Sequence, residues 1–332
     1  MAEARSAAAP LVSPSTQWVM RWGALVVIAT IPLLAASDYQ LRFFAQILTI
    51  GIAVLGLDLL VGFGGLISLG HAAFFAAAGY AAAFVSRYLG ADLVLVLVVG
   101  IATGSFLAML FGIAVAQTVN LFFLILTLIL GQMVWEVVFH WRDVTGGADG
   151  LRGLPPLALH IGLGTAPLAS GRALYLVAVV VAALAVIAAR SFVDAPLGRA
   201  LLGLRERPLR MSALGYSIPR LRMQGLIASG ALAGAGGGLY PFINQYIGPD
   251  SAHWTMSASM VIMLIIGGVG SLYGAFVGAA IYLTIQTYLS SYTDRWQLLV
   301  GLVFVLTVLF MPKGVVAGAT SVLSRLRGGR AA

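Results

Sequence analysis

Residues 190–222 read RSFVDAPLGRALLGLRERPLRMSALGYSIPRLR, and long apolar runs lie on both sides of this stretch. It holds seven arginines against two acids, Asp194 and Glu206, in a chain with 19 basic residues. A basic stretch between membrane-length apolar segments stays on the cytoplasmic side, because Lys and Arg resist translocation. Its middle has the marks of a short helix. Pro208 suits a first turn, where its missing N–H costs nothing, and Gly215 sits where a left-handed C-terminal cap is wanted. Between them, Leu209, Met211 and Leu214 predict one apolar side beside Arg210. A capped, partly apolar helix held in the cytosol is a surface for a partner. The plainer role for the same arginines is fixing topology and touching anionic lipid, at about 1 kcal/mol each.

The rest of the composition agrees. With 61% hydrophobic and 9% charged residues, the chain reads as all-α, a polytopic transmembrane helical bundle of about ten spans with two loosely related halves. The net charge of +8 then describes membrane orientation. Nucleic-acid binding is not expected, since no basic run is interleaved with aromatics on a soluble face. The chain has no cysteine, which excludes disulfides, thiolate metal sites and cysteine nucleophiles. Its one lysine, Lys313, stands in a Pro-Lys-Gly context, so no G-x-x-x-x-G-K-[ST] phosphate loop exists here. If ATP drives this protein, another chain hydrolyses it, and no cofactor is expected on this one.

Apolar runs predict spans at 17–36, 42–61, 71–87, 93–116, 119–140, 172–190, 224–243, 255–270, 272–291 and 295–311. The permease-like bundle thus covers 17–311, between a cytoplasmic tail at 1–16 and a basic cytoplasmic tail at 312–332. With the N-terminus inside, six spans return the chain to the cytosol at Arg190 and four more return it at Lys313. The loop 191–222 is then cytoplasmic and the loop 141–171 external. Thr145, Gly146, Gly147, Asp149 and Gly150 give the external loop its turn chemistry, and about thirty residues is long for a plain connector. Asn244–Trp254, with Pro249 and Asp250, is placed to share that outer surface.

Glycines interrupt two spans. The second runs into GFGGLISLGH at 62–71, and GGVGSL at 267–272 repeats its G-G-x-x-S-L pattern. Paired glycine breaks in corresponding halves point to a transport pathway, while close helix packing through small residues explains the same glycines more blandly. Asp58 and Glu136 fall within spans. A proton relay is one role for such carboxylates, and interhelical hydrogen bonding is the preferred one. The four histidines show no metal-ligand spacing, and no metal is assigned.

Five stretches, in order, resemble the LivM-type permeases of branched-chain amino acid ABC importers (the LivH/LivM permease family). They are LDLLVGFGGLISLGHAAFFAAAGY at 57–80, TLILGQMVWEVVFHWRDVTGGADGLRGLP at 127–155, APLGRALLGLRERPLRMSALGYSIPRLR at 195–222, GGVGSLYGAFVGAA at 267–280 and WQLLVGLVFVLTVLFMPKG at 296–314. The resemblance implies a non-catalytic subunit of the bacterial inner membrane, paired with a smaller LivH-type permease, two ABC ATPases that hold ATP and Mg, and a periplasmic solute-binding protein. It makes 206–215 the coupling helix that docks on an ATPase. Arg199, Arg205, Glu206, Ala213, Leu214 and Gly215 match the family pattern, whereas Arg207, Pro208 and Ser212 stand where it has acids. Leu66 replaces a usual glutamine and Asp58 a usual asparagine. These changes keep open the same importer for another solute: urea or an amide, an aromatic acid, or a sugar. A self-sufficient proton-coupled transporter is the rival of another class. Asp58, Ser68, His71, Gln132 and Asn244 are the candidates for lining the solute route, with interhelical bonding as their alternative. Thr145–Gly150 and Pro249–Asp250 are the candidates for docking the binding protein.

Overall fold

The computed structural model describes residues 33, 36–118, 120–161, 164–293, 295–311 and 314–316. The expected first span, at 17–36, lies almost wholly outside the described residues, as do the two tails. The other nine expected spans each correspond to a helix. Six of these helices are long and apolar enough to cross a membrane. Three are shorter.

The long helices are α1 (Asp38–Asp58, continued by a π turn at Leu59–Phe63), α2 (His71–Leu89), α3 (Leu93–Val115), α4 (Asn120–His140), α6 (Gly171–Asp194) and α9 (Ile218–Asn244). The four-residue α5 (Arg142–Thr145) and the basic-loop helices α7 (Pro196–Glu206) and α8 (Pro208–Ala213) lie between them. The short apolar helices are α10 (Trp254–Gly267), α11 (Gly274–Leu289) and α12 (Trp296–Phe310). At 1.5 Å per residue, their 14, 16 and 15 residues span about 21–24 Å, short of a hydrocarbon core of about 30 Å.

Glycine decides what sits at the centre. Helix α9 carries ALAGAGGG at 231–238 and packs against α1, α2 and α3. A Cβ on Gly234 would run into the Gly100 carbonyl of α3, and one on Gly237 would run into the Phe75 carbonyl of α2. Without side chains at these points the backbones meet directly, which is how helices associate when no hydrophobic effect drives them together. Helices α1 and α9 are accordingly mostly buried, while α3, α4 and α6 turn Val94, Phe106, Ile125, Leu176 and Leu184 outwards. Those outward residues suit contact with lipid tails.

The starts of α1 and α6 are bound together. Ser37 and Gln40 form a reciprocal cap on α1, of the kind that satisfies two free amides at once. The Asp38 carboxylate accepts the Gly171 N–H at 2.6 Å and the Arg42 Nε–H at 3.1 Å. The loop between α4 and α6 carries secondary structure of its own. Its strands β2 (Ala158–Ile161) and β3 (Gly164–Pro167) form a hairpin. Its strand β1 (Leu151–Arg152) pairs antiparallel with β4 (Tyr246–Ile247), with Leu151 opposite Ile247. This pairing joins that loop to the segment that follows α9.

Candidate functional site

Both G-G-x-x-S-L stretches are helix breaks. At the first, α1 widens into its π turn, Gly65 takes φ +67°, and the chain stays non-helical until His71 opens α2. At the second, α10 ends at Gly267; Gly268, Gly270 and Leu272 take positive φ, and Gly274 opens α11. Positive φ is natural for glycine and strained for Leu272. Backbone freed by such breaks needs partners inside the protein.

Asp58 supplies them. Its side chain is fully buried, and its two oxygens accept the Gly270 N–H at 2.6 Å and the Leu272 N–H at 3.1 Å. The carboxylate of the first break thereby holds the backbone of the second. Gly62 makes room for this, since a Cβ there would meet Asp58 Oδ1 and the Gly270 amide. The third member comes from the basic loop. Arg205, next to last in α7, donates from Nη1 to the Gly62 carbonyl, and its aliphatic stem lies over Gly65. One chain of contacts therefore runs from the basic loop through the first break to the second.

The loop itself is a pair of short helices. Pro196 opens α7 and Pro208 opens α8, and Gly215 takes φ +86° after α8. The apolar side expected of α8 divides. Met211 packs inward with Leu201 and Leu204, whereas Leu209 is 86% exposed and Leu214 67% exposed. The physical reason is helical periodicity: Leu209 and Met211, two residues apart, face opposite sides of α8, and Leu214 falls just past its last residue, Ala213. Arg207 lies at the α7–α8 junction, and Arg199, Glu206, Arg207, Ser212, Ala213 and Gly215 are all exposed. Among the coupling candidates, only Arg205 has a side-chain hydrogen bond shown here to the bundle.

The fold is that of a polytopic helical bundle with six membrane-length helices among the described residues, and comparison with known proteins gives its family. The family model described as the permease component of branched-chain amino acid transport systems matches residues 39–309. The chain belongs to this family. The permease is 26% identical over 280 residues to the high-affinity branched-chain amino acid transport system permease protein LivM of Escherichia coli K12, covering 79% of this chain and 66% of that one. It is 25% identical over the same length to the LivM protein of Salmonella typhimurium LT2. The permease thus spans just under two thirds of the length of these relatives. No solved structure matches it.

The remaining candidates of the permease separate into two groups. Ser68 and His71 are fully buried and bonded within the fold: Ser68 Oγ accepts the Gly70 N–H, and His71 Nε2 sits 3.1 Å from the Ala53 carbonyl. Asn244 Nδ2 donates back to the Tyr240 carbonyl of its own helix. Gln132 differs, because its Oε1 is buried without a partner. In the loop after α4, the single Thr145 hydroxyl proton is within reach of the Val138 and Trp141 carbonyls and its Oγ1 accepts the Gly147 N–H, so Thr145 and Gly147 shape the turn from inside. Gly146 and Gly150 take the positive φ that this turn requires. Pro249 is buried, whereas Asp149 and Asp250 face outwards.

Sequence reasoning passed over Trp135 and His253. Trp135 stacks on Phe139 with centroids 5.1 Å apart and meets the His253 ring edge-on at 5.3 Å. The signal was present as Gln132, Trp135, Glu136 and Phe139 at i, i+3, i+4 and i+7, which share one helix face.

Proposed function

We propose that this permease is the transmembrane subunit of an ATP-binding-cassette importer for branched-chain or related amino acids. It works beside a smaller homologous permease, two ATPases and a binding protein outside the membrane. The observation that carries this reading is the Arg205–Gly62 and Asp58–Gly270 chain. It gives α7 and α8 a mechanical hold on both helix breaks, and α8 offers Leu209 and Leu214 to a partner. The topology that fits places α7 and α8 in the cytosol and the joined outer segments, with Asp149 and Asp250 exposed, on the side that receives solute. ATPase closure would push α8, move Arg205 with it, and shift the two breaks together. Alternating access needs such a choice between discrete packings.

The chemistry on this chain is positional. ATP and Mg belong to the ATPases, and this subunit transmits motion. Two observations weigh on the rival readings. Leu66 and Asp58, the departures that favoured a different solute, are both buried and serve packing of the breaks. Asp58 has both oxygens engaged by backbone N–H groups, a structural use that asks for no proton coupling.

The test is Arg205→Ala in the assembled complex in proteoliposomes. Uptake is expected to fall at least tenfold while basal ATP hydrolysis and subunit assembly persist. Normal uptake together with normal stimulation by loaded binding protein would end the lever assignment.

A further inference from the structure

Helix α4 has two unlike flanks in its second half. Leu130, Met133, Val134 and Val137 border an apolar groove shared with α2 and α3. The opposite flank carries Gln132, Trp135, Glu136 and Phe139, in a helix whose outward face is otherwise apolar until its last residue, His140. An amide and a carboxylate on a helix this exposed are out of place against lipid, and polar groups at membrane depth usually mark a solute route.

Two atoms on this flank stand out. Gln132 Oε1, an acceptor, and Trp135 Nε1, a donor, are both shut off from solvent and have no hydrogen-bond partner in the protein. His71 Nδ1 and Arg222 Nε share that property, but each of those side chains is bonded through another nitrogen, to Ala53 in one case and to Ala116 and Thr118 in the other. Buried groups without partners are costly, at about 1–3 kcal/mol each, and binding sites are where folds retain them. The two lie one helical turn apart on one face. Around them runs an unbroken series of ring contacts: His140–Phe139, Phe139–Trp135, Trp135–His253 and His253–Trp254.

We propose that Gln132 and Trp135 form a solute-binding subsite of the permease for a zwitterionic α-amino acid with an apolar side chain. Gln132 Oε1 accepts from the ammonium group, Trp135 Nε1–H donates to the carboxylate, and the faces of Phe139 and His253 take the side chain. Glu136, one turn beyond Gln132, lies 3.3 Å from His140 Nδ1 and puts a carboxylate on the same flank. The proposal rests on the importer reading and adds a place within this chain where solute is held between release by the binding protein and exit. A site built on one donor and one acceptor rejects molecules that lack either charged end, because the unmatched buried group stays unmatched.

The experiment uses the assembled transporter, with leucine as the probe. The chain has no native cysteine, so Leu128→Cys, four residues before Gln132 on the same helix face, places a single reporter on this chain beside the subsite. Leucine is expected to slow maleimide labelling of that cysteine at least fivefold. 3-Methylbutylamine and 4-methyl-2-oxopentanoate, which each keep one charged end, are expected to leave it unchanged. Adding Trp135→Phe or Gln132→Leu should abolish the protection and cut leucine uptake about tenfold, with the complex still assembled. Unprotected labelling in a complex that imports leucine overturns the subsite and leaves the importer standing. Loss of the partner permease on purification of either variant also overturns it, because the flank is then a subunit contact. A wild-type complex that neither imports leucine nor responds to loaded binding protein removes the importer reading, and the subsite with it.

Discussion

Asp58 shows how one side chain can stand for a whole arrangement. A carboxylate at membrane depth invites a proton-transfer role, yet here it closes two backbone amides that a broken helix would leave bare. Asp58→Ala should therefore cost stability. Two stranded N–H groups at about 1–3 kcal/mol each predict a clear fall in the unfolding temperature of the detergent-purified complex, with uptake lost in parallel. Asp58→Asn keeps one good acceptor and should fall between the two. If Asp58 served proton coupling, uptake at clamped ATP would collapse with an uncoupler; the expected result is no change. The sequence marked Asp58 as unusual but was silent on its partners, which lie more than two hundred residues away. No local pattern encodes a contact of that range.

Among the elements, α8 was the most legible. Its proline start and glycine stop are local signals, and both appear where the pattern put them. Which of its apolar residues turn inward was not legible, because that depends on where α7 lies. Leu209 and Leu214 are left outside, and large exposed apolar residues beside arginines suit an interface anchor. Leu209→Asp together with Leu214→Asp should weaken ATPase capture at least tenfold, read by copurification, while Met211→Ala should act on the folding of the loop instead. The breaks teach the same lesson from the other direction. Their shared G-G-x-x-S-L letters were visible in the sequence, and pathway and packing explained them equally well. The structure gives packing a concrete form, since the two breaks touch through Gly62, Asp58 and Gly270.

At the scale of the whole molecule, apolar periods placed nine helices within the described residues, because run length alone identifies a membrane helix. Run length could not rank them. The order from centre to rim follows from glycines, which let α9 approach three neighbours at once. Gly234→Val should force α3 and α9 apart, and the measure is a loss of folded, assembled permease on gel filtration. Gly301 of α12, which has open space around it and an ordinary helical backbone, offers the control. The shortness of α10, α11 and α12 has a consequence beyond this chain. Where helices shorter than the hydrocarbon slab meet lipid, the bilayer thins to match them at a modest cost per ångström. Turnover of the reconstituted transporter should then depend on acyl-chain length, and shorter-tailed lipids should favour it.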